Sequence, residues 1–294
     1  MTGLILRAFA KINLNLKVLG RRPDGYHELR TVLQSITLHD DLELLVGGVG
    51  LRLLVDDPHL PSGPENLVWR AVERLAPPLT PAHGLSIRLT KRIPAGAGLG
   101  GGSSDAAAAL FGVNHLYCLG LSDEEMQSHA AALGCDLPYV LVGGTALLSG
   151  RGTEVLPLPD LPRSHLVVVH PGQPLSTRAV YAQLQEPLTL APEPVSISSF
   201  GRLPVDLESW VRSGNDLEPH ATRLCPAVGH VQAALSAAGA TTVAMSGSGS
   251  AVFGLFADGE AARCAAGIMQ QAGFKAIPCT TQDRETFTRE RIKR

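Results

Sequence analysis

The sequence predicts an α+β fold in two halves that share a cleft, and three observations lead there. A chain of 294 residues exceeds what one ordinary hydrophobic core encloses, so two cores with a cleft at their boundary are expected. Strand-like alternation leads into helical spacing in the first half, and late helices accompany a turn and an apolar strand in the second. Between them Leu156-Pro-Leu-Pro-Asp-Leu-Pro162 places three prolines in six residues, a composition that ends regular structure. The halves are accordingly drawn as residues 1–158 and 159–294.

The first element is a strand. In Ala8-Phe-Ala-Lys-Ile-Asn-Leu-Asn-Leu-Lys17, followed by Val18, the side chains of Ala10, Ile12, Leu14, Leu16 and Val18 alternate with Lys11, Asn13, Asn15 and Lys17. A strand sends alternate side chains to opposite faces, so Lys11 and Asn13 point the same way, and by spacing alone that face is wet. Pro23-Asp24-Gly25 reads as a turn, and Tyr26-His27-Glu28 follow it. Residues 84–91 alternate Leu85, Ile87 and Leu89 with Ser86, Arg88 and Thr90, the period of a half-buried strand. From Ala106, apolar side chains recur at Ala109, Leu110, Val113, Leu116 and Tyr117, a helical face whose first turn Ser103, Ser104 or Asp105 can cap. Ser122-x-x-Glu125 is a capping box and opens a helix over Asp123–Leu133. Residues 139–149 read as an apolar strand, 166–169 as a short buried strand, 186–194 as a proline-rich surface loop, and 243–256 as a turn running into a strand. The tail from Thr280, rich in Arg, Glu and Lys, reads as a solvated end. No internal repeat is present.

The segment richest in chemistry is Pro94-Ala-Gly-Ala-Gly-Leu-Gly-Gly-Gly-Ser-Ser-Asp105, in which five of the seven residues from Gly96 to Gly102 are glycine. Glycine permits φ > 0 and leaves the backbone bare, and the helix start beyond it offers unpaired N–H groups and a positive dipole end. Strand, glycine loop and helix start in that order make a phosphate cradle. Gly96-x-Gly98-x-x-Gly101 satisfies the dinucleotide fingerprint in form. The acids at the distance where that fingerprint wants the end of a second strand, Asp123, Glu124 and Glu125, belong to the capped helix start instead. A Walker A loop needs a lysine after its glycines, and Gly102 is followed by Ser103. A third kind of loop is required.

Pro-x-x-x-Gly-Leu-Gly-Gly-Gly-Ser-Ser-Asp resembles the nucleotide-binding motif of the GHMP kinases, the superfamily of galactokinase, homoserine kinase and mevalonate kinase. Lys11-Ile-Asn13 near the start and Met245-Ser-Gly-Ser-Gly-Ser-Ala-Val-Phe-Gly-Leu-Phe256 near the end resemble two more of its motifs, in the family's order. Gly214-Asn-Asp-Leu-Glu-Pro219 is also family-like. Within the superfamily, Arg22-Pro-Asp-Gly-Tyr-His-Glu-Leu29 is similar to the branch acting on 4-diphosphocytidyl-2-C-methyl-D-erythritol; other GHMP kinases do not usually carry Asp-Gly-Tyr-His.

The resemblance implies an N-terminal half like ribosomal protein S5 domain 2, a ferredoxin-like C-terminal half, and an active site in the cleft between them. It implies transfer of the γ-phosphoryl group of ATP, accompanied by Mg²⁺, to the 2-hydroxyl of that diphosphocytidyl alcohol, a step of the non-mevalonate isoprenoid precursor pathway. Asp136, in Gly134-Cys-Asp-Leu-Pro138, matches the family's catalytic base and Lys11 the lysine beside it, whereas spacing alone makes Asp136 a helix N-cap. ATP is then expected along Pro94, Ala95, Gly96, Ala97, Gly98, Leu99, Gly100, Gly101, Gly102, Ser103 and Ser104, with Ser104 the candidate Mg²⁺ ligand. Asn13, Tyr26, His27, Thr177 and Tyr181 match substrate-binding positions, with Tyr26 and Tyr181 on the two faces of the cytosine and His27 at its edge. A core role for Tyr181 stays open at this point. So do two other functions: a kinase acting on mevalonate or homoserine, which Asp-Gly-Tyr-His argues against, and a non-catalytic nucleotide sensor, which retention of Lys11 and Asp136 argues against.

Composition narrows the partners. A formal charge of −2 with scattered Lys and Arg gives no broad basic surface, so nucleic acid is not expected as a partner. No apolar run reaches membrane-spanning length, and the first residues, broken by Arg7, Lys11 and Asn13, lack the apolar core of a signal peptide, which leads to a cytoplasmic expectation. Cys118, Cys135, Cys225, Cys264 and Cys279 are odd in number without C-x-x-C spacing and read as reduced thiols. A monomer or weak homodimer is expected.

Overall fold

The computed structural model describes residues 3–75, 84–184 and 206–293; the loop expected over 186–194 lies outside them. The first half is built on one long antiparallel hairpin, β1 (Gly3–Arg21) and β2 (His27–Val46), joined at the Pro23-Asp24-Gly25 turn. Gly25 sits there at φ 84°, which glycine adopts without strain. β2 also pairs with β4 (Leu85–Thr90) and with β5 (Thr145–Ser149). β3 (Leu51–Val55) lies parallel to β4, and β6 (Glu154–Pro157) antiparallel to β5, so the sheet runs β3-β4-β2-β5-β6 with β1 on β2. Leu85, Ile87 and Leu89 are buried as their alternation predicts. They meet Leu6, Leu42 and Leu44 of the hairpin and the apolar sides of α1 (Leu67–Leu75), α2 (Gly101–Leu116) and α3 (Asp123–Leu133). The capping box of α3 forms as read, with Ser122 and Glu125 each bonded to the other's backbone.

The second half is a four-stranded antiparallel sheet in the order β10-β7-β9-β8, from β7 (His165–His170), β8 (Thr242–Met245), β9 (Val252–Phe256) and β10 (Lys275–Thr280). Helices α8 (Ala227–Ala237) and α9 (Gly259–Gln271) complete the β-α-β-β-α-β succession of a ferredoxin-like unit. β7 is buried on both sides. Leu166 and Val168 face a core shared with Ile12, Leu14 and Ile36 of the hairpin, while Val167 and Val169 face α8 and α9. A continuous apolar run is what a strand covered on both faces requires. The shared core extends to Ile93, Ala97 and Leu99 of the glycine loop, so apolar packing from both halves holds that loop in place.

Four expectations need correction. β1 does not alternate strictly: its register on β2 shifts between Phe9 and Lys11 and again between Asn13 and Asn15, so Leu14 faces the shared core and Leu16 the second. Such bulges bend a strand and re-aim its side chains. Its polar side is not wet either, because Lys11, Asn13 and Asn15 are all buried. Residues 139–149 divide into helix α4 (Leu137–Val142) and β5, since Pro138 suits a helix's first turn and Gly143 and Gly144, at φ 69° and 67°, end it. The tail is not a solvated end: α10 (Arg284–Glu290) docks on the first half, with Phe287 buried and Ile292 bridging back to Leu6.

Candidate active site

Helix α2 begins at Gly101, five residues earlier than its apolar spacing indicates, with Gly100 as a left-handed N-cap. Ser103, Ser104 and Asp105 thus lie inside the helix and cap nothing. The first N–H groups of a helix have no partner within it, so the residues from Gly101 onward present donors at the positive dipole end. Gly98 shows why the loop must be glycine. A Cβ there would come within 2.1 Å of the Ser246 carbonyl oxygen. The loop is clasped by the Gly/Ser turn between β8 and β9: Ala251 N–H donates to the Ala97 carbonyl at 3.0 Å and the Ser246 hydroxyl to the Gly98 carbonyl at 2.9 Å. Asn215 donates to the Met245 and Gly247 carbonyls and fixes the turn from behind.

Lys11 enters this junction from β1. Its Nζ donates to Asn13 Oδ1 at 2.7 Å and to the Gly98 carbonyl at 3.0 Å, and stands 3.4 Å from Asp136 Oδ2. Asn13 in turn donates to Thr31 Oγ1, which orients its oxygen toward Lys11. Lys11 is 5% exposed at its side chain and Asp136 38%, so the ammonium is fixed while the carboxylate still faces open space. Asp136 occupies the N-cap of α4, yet its side chain makes no capping bond. The carboxylate therefore has Lys11 on one side and open space before it on the other.

The aromatic residues gather near the same carboxylate in an arrangement of their own. His27 and Tyr181 pack ring to ring, centroids 4.9 Å apart and planes inclined by 33°, while exposed Tyr26 lies under the Arg151 guanidinium. Burial raises the Tyr181 phenol above its ordinary value, with the charges of Asp136 and Cys135 adding to it. Tyr181 also packs against the apolar cluster of the second half, so it has both a core side and a site side. Thr177, exposed at the head of α5 (Thr177–Tyr181), pairs its hydroxyl with that of Ser248 at 2.9 Å. Pro94 and Ala95 line a cavity of about 440 Å³ together with Asp56, Lys91, His170 and Lys275.

Ser104 does not suit a metal. It is buried, and its hydroxyl donates to the Phe9 carbonyl at 2.7 Å. Among the described residues no three His, Cys, Asp or Glu side chains stand together as a metal cage. The spacing did not reveal Ser246 or Asn215 as parts of the junction, although both lie in segments quoted for their resemblance. Nor did it reveal Lys91, which lies beneath the loop. Its buried ammonium bonds both Asp40 and Asp105, at 2.5 and 2.7 Å. Asp40 also accepts the N–H groups of Arg92 and Ile93. One cation facing two buried carboxylates supports one negative charge, and burial followed by the charge of Asp40 drives the Asp105 carboxyl well above its ordinary range despite Lys91.

A part-exposed carboxylate, a lysine beside it and a glycine-rich helix start, set between an N-terminal mixed sheet and a ferredoxin-like unit, are the arrangement of a GHMP-type small-molecule kinase. Sequence comparisons agree: the GHMP kinases N terminal domain matches residues 66–144 and the GHMP kinases C terminal domain residues 204–275. The 4-diphosphocytidyl-2-C-methyl-D-erythritol kinase of Moorella thermoacetica is 46% identical over 277 residues, covering 92% of this chain and 96% of that protein. That of Geobacter sulfurreducens is 41% identical over 282 residues, covering 96% and 100%. A crystal structure of 4-(cytidine 5'-diphospho)-2C-methyl-D-erythritol kinase superposes with a TM-score of 0.74 at 37% identity, covering 95% of this chain and 99% of that one. A homoserine kinase from Cytophaga hutchinsonii, at 21% identity and a TM-score of 0.66, shares the fold. The chain belongs to the 4-diphosphocytidyl-2-C-methyl-D-erythritol kinase family of the GHMP kinases.

The Lys91 cluster gives a pH test. A carboxyl whose folded pKa is raised contributes stability that is complete below its unfolded value, about 4, and is lost as pH rises through the folded value. Asp105→Asn keeps the shape without the titration. Melting temperatures measured across a pH series are expected to shift in favour of the variant as pH climbs from 4 to 8. A difference that stays constant over that range would place the Asp105 carboxyl in the ordinary range.

Proposed function

We propose that the protein transfers the γ-phosphoryl group of ATP to the 2-hydroxyl of 4-diphosphocytidyl-2-C-methyl-D-erythritol, with Asp136 as general base. The observation that carries the reading is the Lys11–Asp136 pair: a part-exposed carboxylate, unused as a cap, beside a buried ammonium that also bonds the glycine loop at the Gly98 carbonyl. A tertiary alcohol is a poor nucleophile, and a carboxylate within hydrogen-bond reach takes its proton as the bond to phosphorus forms. Lys11 offsets the negative charge that gathers between hydroxyl and phosphate. The N–H groups at the head of α2 hold the phosphates of ATP, of which only the γ-phosphoryl moves to the alcohol while ADP leaves, so the chain's contribution is placement and charge rather than a covalent intermediate. Mg²⁺ would accompany ATP and supply charge neutralisation at its phosphates, a role that asks for no more than one or two protein oxygens. The nucleoside portion of ATP has room in the cavity beside Pro94 and Ala95.

Recognition of the cytidine end falls to the aromatic group at His27, Tyr181 and Tyr26. The ring contact of His27 with Tyr181 supports a platform of these two for the base, in place of a sandwich between Tyr26 and Tyr181. A catalytic role on two halves, residues 1–158 and 159–294, fits this placement, except that the last residues return to the first half. No helix among the described residues is long and apolar enough to cross a membrane.

Asp136→Asn is expected to lower kcat about 10²–10⁴-fold while calorimetry finds ATP binding little changed, because the amide keeps the shape but accepts no proton. A variant retaining near wild-type kcat would remove Asp136 from the chemistry. For Tyr181, replacement by Ala should raise KM for the diphosphocytidyl alcohol by an amount equivalent to about 1–3 kcal/mol and leave the Kd of ATP alone, with Tyr181→Phe close to silent. Impairment of both ligands together, with a lowered melting temperature, would assign Tyr181 to the core only.

A further inference from the structure

The segment after β10 has the composition of a solvated tail, yet it reaches both helices that frame the reaction. Its backbone joins the outer edge of β1, where Arg7 N–H donates to the Arg291 carbonyl at 2.8 Å and Lys293 N–H to the Ile5 carbonyl at 2.9 Å. Phe287 fills the space over Gly143, where a Cβ would come within 2.3 Å of its ring. The Arg291 guanidinium lies between two phenyl rings, 4.8 Å from the centroid of Phe111 on α2 and 4.9 Å from that of Phe287. From there its Nη2 donates to the Leu141 carbonyl of α4 at 2.6 Å. Burial lowers this guanidinium to about 10, partly offset by Asp123, so it is charged at neutral pH.

Those contacts matter because of what the two helices carry. Helix α4 has six residues, too few to hold helical geometry unaided, and its last carbonyls have no partners within the helix. A cation bonded to one of them supplies the missing donor at the negative end of the dipole. Asp136 stands at the opposite end of that helix, and the glycine loop opens into α2 at Gly101. Arg291 is thus a rivet between the helix that bears the base and the helix that bears the phosphate cradle, although it is remote from the cleft itself.

We propose that Arg291 is a positioning residue for phosphoryl transfer: by fixing α4 against α2 it sets the distance from the Asp136 carboxylate to the phosphates held at the head of α2. The proposal rests on the assignment of Asp136 as base. Arg291→Met keeps an unbranched stem between the two rings and removes the bond to Leu141.

The test is a double-mutant cycle of Arg291→Met and Asp136→Asn, with melting curves and separate kcat and KM values for ATP and the diphosphocytidyl alcohol. Arg291→Met alone is expected to fold, to keep both KM values within about twofold, and to lose kcat about 10- to 100-fold, the scale of a small misplacement of reacting groups. On the Asp136→Asn background the same change should cost less than about twofold, since the group it positions is already gone. Equal losses on both backgrounds, or an unchanged kcat in the single variant, would overturn the proposal alone. Near wild-type turnover by Asp136→Asn would remove the base assignment and the proposal with it. If Arg291→Met does not fold, Phe111→Leu removes one face of the clamp and leaves the Leu141 bond. It should then show a smaller kcat loss with the same dependence on Asp136, and equal losses on both backgrounds again overturn the proposal.

Discussion

An ammonium group carried into a protein interior must replace its lost water with oxygen partners, and Lys11 finds three from three parts of the chain: Asn13 on its own strand, the Gly98 carbonyl of the glycine loop, and Asp136 at the head of α4. Each partner is fixed in turn. Asn13 is held by Thr31 on the neighbouring strand, and Gly98 by Ser246 in the other half of the molecule. Asp136 alone stays half open. Most of the lysine's bonding capacity is therefore taken up by structure, and part of the carboxylate's stays open to the cleft. Withdrawing the ammonium would leave the Asn13 Oδ1 and Gly98 carbonyl oxygens with, among the described residues, only the Ser246 hydroxyl as donor between them, a cost of about 1–3 kcal/mol for a group left unsatisfied.

That junction explains why the two halves share a core instead of meeting at a loose hinge. Ile12 and Leu14 on one side and Leu166, Val168 and Phe253 on the other enclose the apolar residues of the glycine loop. The loop's bare backbone is thereby set against the turn at Ser246 at a distance no side chain would permit. Beneath the same loop the Lys91, Asp40 and Asp105 cluster ties β2, the end of β4 and α2 together. The buried charges of Lys11 and Lys91 thus both bear on the glycine loop, one at the Gly98 carbonyl and the other beneath Gly101.

Much of this was legible in the residues. The alternation of Leu85, Ile87 and Leu89, the Ser122–Glu125 box and the glycine run each encode their structure within a few neighbours, and each forms. What was misread depends on distant partners or on elements too short to show a period. Residues 139–142 are apolar enough to pass for strand, and six helical residues span less than two turns, so only Pro138 at the start and the Gly143-Gly144 pair at the end marked the helix. The tail looked solvated because charges dominate its composition. Arg284, Phe287 and Arg291 nonetheless fall at helical spacing on one face, and that face is the one that docks. The contact of Ser246 with Gly98 joins residues that no local pattern links. The pairing of Lys11 with Asp136 came from family resemblance, and spacing alone would have left one on a wet face and the other as a cap.

The aromatic group illustrates the same division. Tyr26, His27 and Tyr181 were singled out together, and the structure does bring His27 and Tyr181 into contact, but Tyr26 turns to Arg151 instead. Which ring faces which is decided by packing around β7 and the hairpin turn, beyond the reach of a motif. The claim on which the whole account rests is the identity of the phosphoryl acceptor. Phosphorus NMR of the protein incubated with MgATP and, separately, 4-diphosphocytidyl-2-C-methyl-D-erythritol, mevalonate and homoserine tests it most directly. The account predicts ADP and a new phosphomonoester on the 2-hydroxyl with the diphosphocytidyl alcohol alone, and a phosphomonoester formed on mevalonate or homoserine, or ADP released with no acceptor phosphorylated, would contradict it.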